Sequence, residues 1–201
     1  MNNHIFTIGY AAFPNPGDFV AALKQYAISC IVDVRSYPVA SDFFATYSKN
    51  VLSPLLKKQG IAYRNYAKEF GARQENRAYF MKEGCLDFSR FTKSDEFLSG
   101  IQKIERILQS NYKIALMCAE KDPIDCHRTI MISRALDLLG FCVCHILADG
   151  SLSNQKEIDD RLLKLYHLDE ANLFQTRDEL INEAYVRKNI QIGYRGKERA
   201  I

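Results

Sequence analysis

The segment "LMCAEKDPIDCHRTIM", residues 116–131, brings together residue types that carry chemistry. Two cysteines, Cys118 and Cys126, are followed by His127 and Arg128, and Glu120 lies between the two thiols. A thiol beside an imidazole and a guanidinium has a lowered pKa and can act as a nucleophile or a metal ligand. The segment starts in one apolar run and ends in another, which predicts a loop joining a buried strand to a helix.

The loop has four possible interpretations. The first is a loop that only joins the strand to the helix, and the second is an anion-binding site. As a connection, it would use its acids as helix caps and its cysteines for packing. As an anion site, it would hold a phosphate with backbone N–H groups at the helix start, helped by Arg128 and Arg35. Two arginines at adjacent strand ends favour the phosphate over the plain connection.

The other two interpretations use the thiols. A nucleophilic Cys126 is disfavoured because neighbouring helical residues point about 100° apart, so His127 need not face it. The spacing of cysteine, five residues and arginine found in tyrosine phosphatases is also absent. A metal bound by Cys118, Cys126 and a histidine ranks last because the chain lacks Cys-x-x-Cys pairs. No cofactor is therefore predicted, and a divalent metal is kept as the lesser option.

Further polar residues lie at the ends of the other predicted strands. These residues are Gly9, Tyr10, Asp33, Arg35 and His145. Because the carboxyl ends of parallel strands share one edge of a sheet, we expect them to converge with the loop. Asp33 and Glu120 could then divide acid and base roles in bond cleavage, glycosidic bonds included. The alternative for Asp33 is a simple ion pair with Arg35 or Arg128.

The elements that must position these residues alternate between strand and helix. The predicted strands are "HIFTIGY", "CIVDVRS", "IAYRNY", "KIALM" and, as the last, "FCVCHIL". Two predicted helices begin with a proline, at Pro16 and at Pro54, where Ser53 is the cap. Two more follow the caps Ser94 and Asp125, and the last two begin at the segments "NQKE" and "TRDE". Since the strands are apolar on both faces, we predict a Rossmann-like α/β fold, a mostly parallel sheet with helices on both faces.

The chain divides into a body and a basic end. Residues 1–166 are predicted to form the α/β domain with the pocket, and residues 167–201 a C-terminal helical extension with a basic tail. The basic residues near the end are Arg187, Lys188, Arg195, Lys197 and Arg199, against the acid Glu198. Tyrosines among them suit a nucleic-acid backbone with base stacking, although a solvated extension is the more common case.

The composition is that of a soluble globular protein, with 47% hydrophobic and 25% charged residues. The net charge of +3 comes from the tail, so the body has no bias toward nucleic acid. Six cysteines do not make a disulfide framework in a chain of this size. There is no secretory signal pattern and no membrane-spanning apolar run, so we expect a cytoplasmic protein without a membrane partner. The oligomeric state is not specified.

Five motifs together resemble the domain-of-unknown-function family DUF488, over about residues 4–150. They are "TIGY", "DVRSYP", "KEFGAR", "CAEKDPIDCHR" and "HILADG". The resemblance implies a Rossmann-like domain with these motifs around one pocket, and no established reaction. The family motif falls on Gly9, Asp33, Arg35, Cys118, Glu120, Cys126, His127 and Arg128. Many members have His-Ser where this chain has Tyr10-Ala11, and a double glycine where it has Gly71-Ala72, so Tyr10 would replace any proton-carrying histidine.

The leading prediction is an enzyme, a hydrolase or nucleotide-processing enzyme, that binds a phosphate-bearing substrate (nucleotide or nucleic acid) at the strand ends. The predicted catalytic residues are Asp33, Glu120, Cys118, Cys126 and His127. The predicted substrate-binding residues are Gly9, Tyr10, Arg35, Arg73, Arg128 and His145. The alternative is a non-catalytic nucleotide- or nucleic-acid-binding module, and a lesser alternative is a thiol- or metal-dependent protein.

Overall fold

One six-stranded sheet organises the chain. The computed structural model describes residues 4–170 and 174–196. The strands are β1 (His4–Gly9), β2 (Cys30–Asp33), β3 (Ala62–Asn65), β4 (Ile114–Cys118), β5 (Cys142–Ile146) and β6 (Leu152–Asn154). Their order is β3-β2-β4-β1-β5-β6, and all neighbours are parallel except β5 and β6. The predicted fold class, a mostly parallel α/β sheet of Rossmann-like type, is confirmed.

The first five strands coincide with the predicted apolar runs. Their residues are buried almost throughout β1, β2 and β4, as expected for strands covered on both faces. The prediction that β5 is the last strand was wrong, because β6 follows it as an antiparallel edge strand. At three residues, β6 is too short to produce a periodic pattern in the sequence.

Eight α-helices are seen among the described residues. They are α1 (Pro16–Gln25), α2 (Lys49–Lys58), α3 (Ala67–Phe70), α4 (Phe88–Phe91), α5 (Asp95–Gln109), α6 (Arg134–Leu138), α7 (Gln155–Leu165) and α8 (Arg177–Ile192). The side chain of Ser94 caps α5, and Thr176 and Glu179 form the predicted capping box of α8. The predicted start of α2 at Pro54 was wrong. The helix begins at Lys49, and burial of Leu52 in its first turns offsets the hydrogen bond that Pro54 cannot donate.

The helix after β4 begins as a π-helix, Arg128–Ser133, and continues as α6. Every residue of the π-helix is buried, and the hydroxyl of Ser133 donates to the carbonyl of Arg128 (2.8 Å). The predicted cap by Asp125 was wrong, because that carboxylate accepts from Lys188 instead (2.7 Å). Wide π-turns occur frequently at functional sites, and this one leads directly out of the cysteine loop.

The two faces of the sheet carry different helices. Phe19 of α1 and Leu56 of α2 pack on one face. Phe97 of α5, Ile130 of the π-helix and Leu162 of α7 pack on the other. The chain therefore leaves β1 toward one face and leaves the adjacent β4 toward the opposite face. Such a reversal opens a crevice between the carboxyl ends of the two strands, which is where ligands bind in sheets of this kind.

The C-terminal extension is packed against the body. Tyr185 of α8 is buried and donates to Asp159 of α7 (2.8 Å), while the amide of Gln155 donates to the Tyr185 oxygen (2.5 Å). The side chain of Lys188 is only 2% exposed and binds Asp125 in the cysteine loop. The predicted boundary at residue 166 stays a prediction, but α8 is joined to the body by buried polar and apolar contacts. The tail residues Lys197 and Arg199 lie outside the described residues.

In the part of the chain that the structure describes, no helix combines the length and the apolar character that crossing a membrane requires.

Candidate functional site

A cavity of about 420 Å³ opens at the carboxyl ends of β1, β2 and β4. Among the predicted site residues, the ones that line it are Tyr10, Arg35, Arg73, Cys118, Glu120 and His127. Ile192 and Tyr194, from the C-terminal extension, complete the wall. The volume lies in the range of small-molecule sites. Residues from four of the five family motifs, together with the C-terminal extension, therefore meet at one rim.

Four side chains of the cysteine loop form a compact group of potential ligands. One ligand atom each from Cys118, Glu120, Cys126 and His127 lies within 4.8 Å of the others. Nδ1 of His127 is 3.6 Å from Sγ of Cys118 and 4.0 Å from Sγ of Cys126. A hydrogen bond joins Sγ of Cys126 to Oε2 of Glu120 (2.7 Å). We call these four residues the thiol cluster.

The orientation of His127 is fixed by the backbone after β2. Its Nε2 donates to the carbonyl of Val34 (3.1 Å). A carbonyl can only accept, so this bond places the proton on Nε2 and leaves the lone pair of Nδ1 aimed at the two sulfurs. The imidazole is thereby held as a ligand or base for the thiols.

The members of the thiol cluster shift one another's pKa values. Burial raises the pKa of the Cys118 thiol well above its usual range. Burial would also raise that of Cys126, but hydrogen bonding to Cys118 and the nearby Arg128 and His127 hold its pKa well below the ordinary value. Burial, and then the proximity of Cys126, raises the pKa of the Glu120 carboxyl. These shifts favour the charged form of the Cys126 thiol and the neutral form of the neighbouring Glu120 carboxyl.

Arg128 lies behind the thiol cluster and not on the cavity wall. Its side chain is 0% exposed, and Nη1 donates to the main-chain carbonyl of Glu120 (2.8 Å). Its Nε and Nη2 have no hydrogen-bond partner among the described residues. A Cβ on Gly9 would lie 1.8 Å from that same carbonyl oxygen and 2.9 Å from Nη2. Gly9 is therefore the residue that lets the loop and the guanidinium approach the end of β1.

Asp33 is bound by its neighbours. Its Oδ1 accepts hydrogen bonds from the backbone N–H and from Nε of Arg35. Its Oδ2 accepts one from Nη2 of Arg35 and one from the hydroxyl of Tyr63, both at 2.5 Å. The carboxylate is fully buried. The ion pair with Arg35 is thus the alternative that the geometry favours for Asp33. Its predicted acid/base role stays a prediction.

Arg35 projects from this pair toward the cavity. Its guanidinium lies over the ring of Tyr10 (5.2 Å to the centroid) and donates to the carbonyl of Tyr47 (2.9 Å). Nη1 is buried and lacks a partner within the described residues. Burial opposes the charge, but the hydrogen bond to Asp33 outweighs it and raises the pKa of Arg35.

Two tyrosines at the cavity mouth were not predicted. The guanidinium of Arg73 lies 5.1 Å from the ring centroid of Tyr37 and 5.8 Å from that of Tyr194. Tyr37 is 63% exposed. The signal for Tyr37 was present in "DVRSYP", and Tyr194 belongs to the basic tail that the sequence associates with nucleic acid. Their convergence on Arg73 depends on long-range folding and has no local signal.

His145 does not line the cavity. It is fully buried, with Nδ1 hydrogen-bonded to the hydroxyl of Thr7 (2.8 Å) and Nε2 to Oε1 of Gln155 (3.1 Å). Burial and the nearby charge of Arg128 lower its pKa to about 3. We therefore leave His145 out of the candidate site, and its predicted binding role stays untested.

The start of the helix after β4 offers few free donors. The backbone N–H of Arg128 points at Sγ of Cys126 (3.4 Å), and those of Thr129 and Ile130 donate to the carbonyl of Cys126 (3.0 Å each). Few backbone donors therefore remain at this terminus for a ligand, and the anion site predicted there stays a prediction.

The comparisons with known proteins identify a family. The model of the family described as "Domain of unknown function DUF488" matches residues 15–135, which is more than half of the chain. None of the curated proteins matches significantly. No solved structure matches significantly either. The matched range includes the thiol cluster, Arg35 and Arg73.

Proposed function

The chain belongs to the DUF488 family, and we propose that it is an enzyme that binds a phosphate-bearing substrate, a nucleotide or the end of a nucleic acid, in this cavity. One observation carries the proposal. Two arginines, three tyrosines and the Glu120 carboxyl line a single cavity of about 420 Å³ at the reversal point of the sheet. Arginines can bind a phosphate, tyrosines can stack on a base and a carboxyl can transfer a proton, as a hydrolase or another nucleotide-processing enzyme would use them.

The phosphate would bind to Arg35 and Arg73. Nη1 of Arg35 lacks a partner among the described residues, and an oxygen of a ligand in the cavity would supply one. Asp33 and the carbonyl of Tyr47 hold the rest of the guanidinium in place, so little side-chain entropy would be lost on binding. Arg73 is exposed and would close over the ligand from the opposite wall.

The tyrosines suit a nucleobase. Tyr37 is largely exposed at the mouth, and Tyr194 faces it across Arg73. A base stacked on an aromatic ring gains about 1–3 kcal/mol irrespective of its identity. This arrangement supports a nucleotide over a simple phosphate ester.

Glu120 is our candidate for the general acid or base. Its side chain lines the cavity and is 42% exposed, whereas Asp33 is buried with both oxygens bound. Arg128 would be a positioning residue, because it holds the main chain of Glu120 from behind. Tyr10, also in the wall, takes the place where many family members have a histidine.

Binding tests the proposal first. Isothermal titration of the wild type with a panel of nucleoside monophosphates and diphosphates is expected to reveal at least one ligand, and the parent nucleosides should bind at least about tenfold more weakly. Arg73→Met should weaken the best nucleotide by about tenfold through loss of one charge-assisted contact. Arg64→Met, which changes an exposed arginine on β3 outside the cavity, is the matched control and should leave the affinity unchanged.

Equal effects of Arg73→Met and Arg64→Met, or a complete lack of nucleotide binding by the wild type, would refute the substrate class. Conversion of the bound ligand is then followed by mass spectrometry. We expect Glu120→Gln to retain binding and to lower the conversion rate by about 100-fold or more, because the amide cannot carry the proton. A rate equal to that of the wild type would remove Glu120 from the mechanism.

The alternative, a binding module that works through its basic tail, finds less support. Arg187 is paired with Glu183, Lys188 is buried against Asp125, and Arg195 donates to the carbonyl of Glu83 (2.6 Å). Oligonucleotide binding that is lost in Lys197→Ala/Arg199→Ala and kept in Arg73→Met would favour the module. The reverse pattern favours the cavity.

A further inference from the structure

We propose that the thiol cluster is a metal site in which Cys118, Cys126 and His127 bind a divalent transition-metal ion, best Zn²⁺, with Glu120 as an exchangeable fourth ligand. In the sequence analysis a metal site is the least favoured interpretation of the loop, because Cys-x-x-Cys spacing is absent. The proposal goes beyond the binding of a phosphate-bearing substrate and does not depend on it.

The separations within the thiol cluster are close to those of a tetrahedral site. With Zn–S of about 2.3 Å and Zn–N or Zn–O of about 2.0 Å, ligand atoms lie roughly 3.5–3.8 Å apart. The observed separation of 3.6 Å between Nδ1 and Sγ of Cys118 lies in this range, and that of 4.0 Å to Sγ of Cys126 is slightly longer. The carboxylate of Glu120, at 2.7 Å from Sγ of Cys126, would move outward by about 1 Å. Its partial exposure leaves it free to do so.

The imidazole of His127 is already oriented to bind a metal ion through Nδ1. Ligating histidines commonly donate their second N–H to a carbonyl or carboxylate, which fixes the tautomer. Here Nε2 donates to the carbonyl of Val34 and Nδ1 points at the sulfurs. This bond comes from a different strand end, so it is independent of the local geometry of the cysteine loop.

The buried charge of Arg128 also fits a metal–thiolate centre. Two thiolates, one carboxylate and a divalent cation carry one net negative charge, and a charge in a buried place requires a counter-charge. The guanidinium of Arg128 is 4.0 Å from Oε2 of Glu120, and its backbone N–H points at Sγ of Cys126. A hydrogen bond to a ligating sulfur and an opposite charge beside a ligating carboxylate are common around metal sites.

The position of the thiol cluster suggests an open site and not a purely structural one. Cys118, Glu120 and His127 line the cavity, while Cys126 lies behind them. Structural zinc sites are closed by four tightly held ligands, whereas catalytic sites keep one position for water or substrate. Because Glu120 is the most exposed member, it is the ligand that an incoming molecule would displace.

A second group of possible ligands must be separated from the thiol cluster in any test. His4, Cys142 and Cys144 also lie close together, at the opposite end of the strands. His4 and Cys142 are exposed, so adventitious binding there is easy to remove by substitution. Cys142→Ser therefore serves as the control background.

The test is metal content and spectroscopy on the full chain, reduced, loaded with Zn²⁺ or Co²⁺ and dialysed against a weak chelator. The wild type and Cys142→Ser should each retain one equivalent. With Co²⁺, thiolate-to-metal charge-transfer bands and intense tetrahedral ligand-field bands should appear. Cys126→Ser and His127→Ala should bind more weakly by over about 100-fold, and Glu120→Ala by about tenfold. Circular dichroism checks that each variant is folded.

Two outcomes would overturn the proposal. One is a wild-type protein that retains no ion, or whose bound Co²⁺ lacks the charge-transfer bands. The other is a metal that is lost in Cys142→Ser but kept in Cys126→Ser, which would locate binding at the other end of the strands. Retention of the ion by a protein that fails to bind nucleotides would leave this proposal intact and refute the proposed function alone.

Discussion

Gly9→Ala is expected to lower the free energy of unfolding by about 3 kcal/mol, and with it the melting temperature by roughly 6–12 °C. The added Cβ would lie 1.8 Å from the carbonyl oxygen of Glu120, a main-chain atom that no rotamer change can move. The loop would have to retreat from β1, and the hydrogen bond from Arg128 to that carbonyl would break. Thermal unfolding followed by circular dichroism measures the loss.

Gly17→Ala is the matched control for this substitution. Gly17 lies in the first turn of α1, where a Cβ would meet only the side chain of Asn15, at 3.2 Å. That amide can shift, and alanine favours the helix, so the control should be neutral or slightly stabilising. A Gly9→Ala protein as stable as Gly17→Ala would mean that the loop does not approach β1 as closely as the structure has it.

The strands and their convergence could be predicted because they depend on local information. Runs such as "CIVDVRS" and "KIALM" are apolar on both faces, which already implies a buried parallel sheet, and the ends of parallel strands share one edge. The first residues of α2, before Pro54, and the edge strand β6 were not predicted. In both cases tertiary contacts outweigh a weak local pattern, the burial of Leu52 in one and pairing with β5 in the other.

The thiol cluster was undervalued for a specific physical reason. Within one α-helix, the side chains of Cys126 and His127 would point about 100° apart and would not meet. In the structure Cys126 is extended, with φ −128° and ψ 137°, and His127 is the residue that precedes the π-helix. An extended residue followed by a helical one directs the two side chains to a common point. Neither this bend nor the acceptor on Val34 has a signature in the sequence.

Arg128 illustrates the same limit. The sequence predicts it to be a phosphate ligand, because Arg35 and Arg128 follow the ends of adjacent predicted strands. The π-helix instead turns it inward, where it is fully buried between β1 and the thiol cluster. A buried guanidinium with two unpartnered nitrogens is costly unless negative charge lies nearby. The metal–thiolate centre proposed above would provide that charge.

A second large effect is expected in the acid stability of the protein, and it centres on His145. The folded-state pKa of about 3 lies far below the usual value of 6.5, because burial and Arg128 disfavour the imidazolium. Below pH 6.5 the unfolded chain binds a proton that the folded chain does not, so stability decreases as the pH falls from 6.5 toward 3. At about 1.4 kcal/mol per pH unit, the loss between pH 7 and pH 4 from this residue alone is roughly 3 kcal/mol.

Urea unfolding at a series of pH values isolates this contribution. His145→Asn removes the titrating ring and should be less stable at pH 7, because the bonds to Thr7 and Gln155 change. Its stability should nevertheless fall by about 3 kcal/mol less than that of the wild type on going to pH 4. His167→Asn changes an exposed histidine after α7 and should keep the wild-type slope. If His145→Asn also kept that slope, the imidazole would have to be protonated inside the folded protein, and the packing of β1 against β5 around it would need a nearby carboxylate to balance the charge.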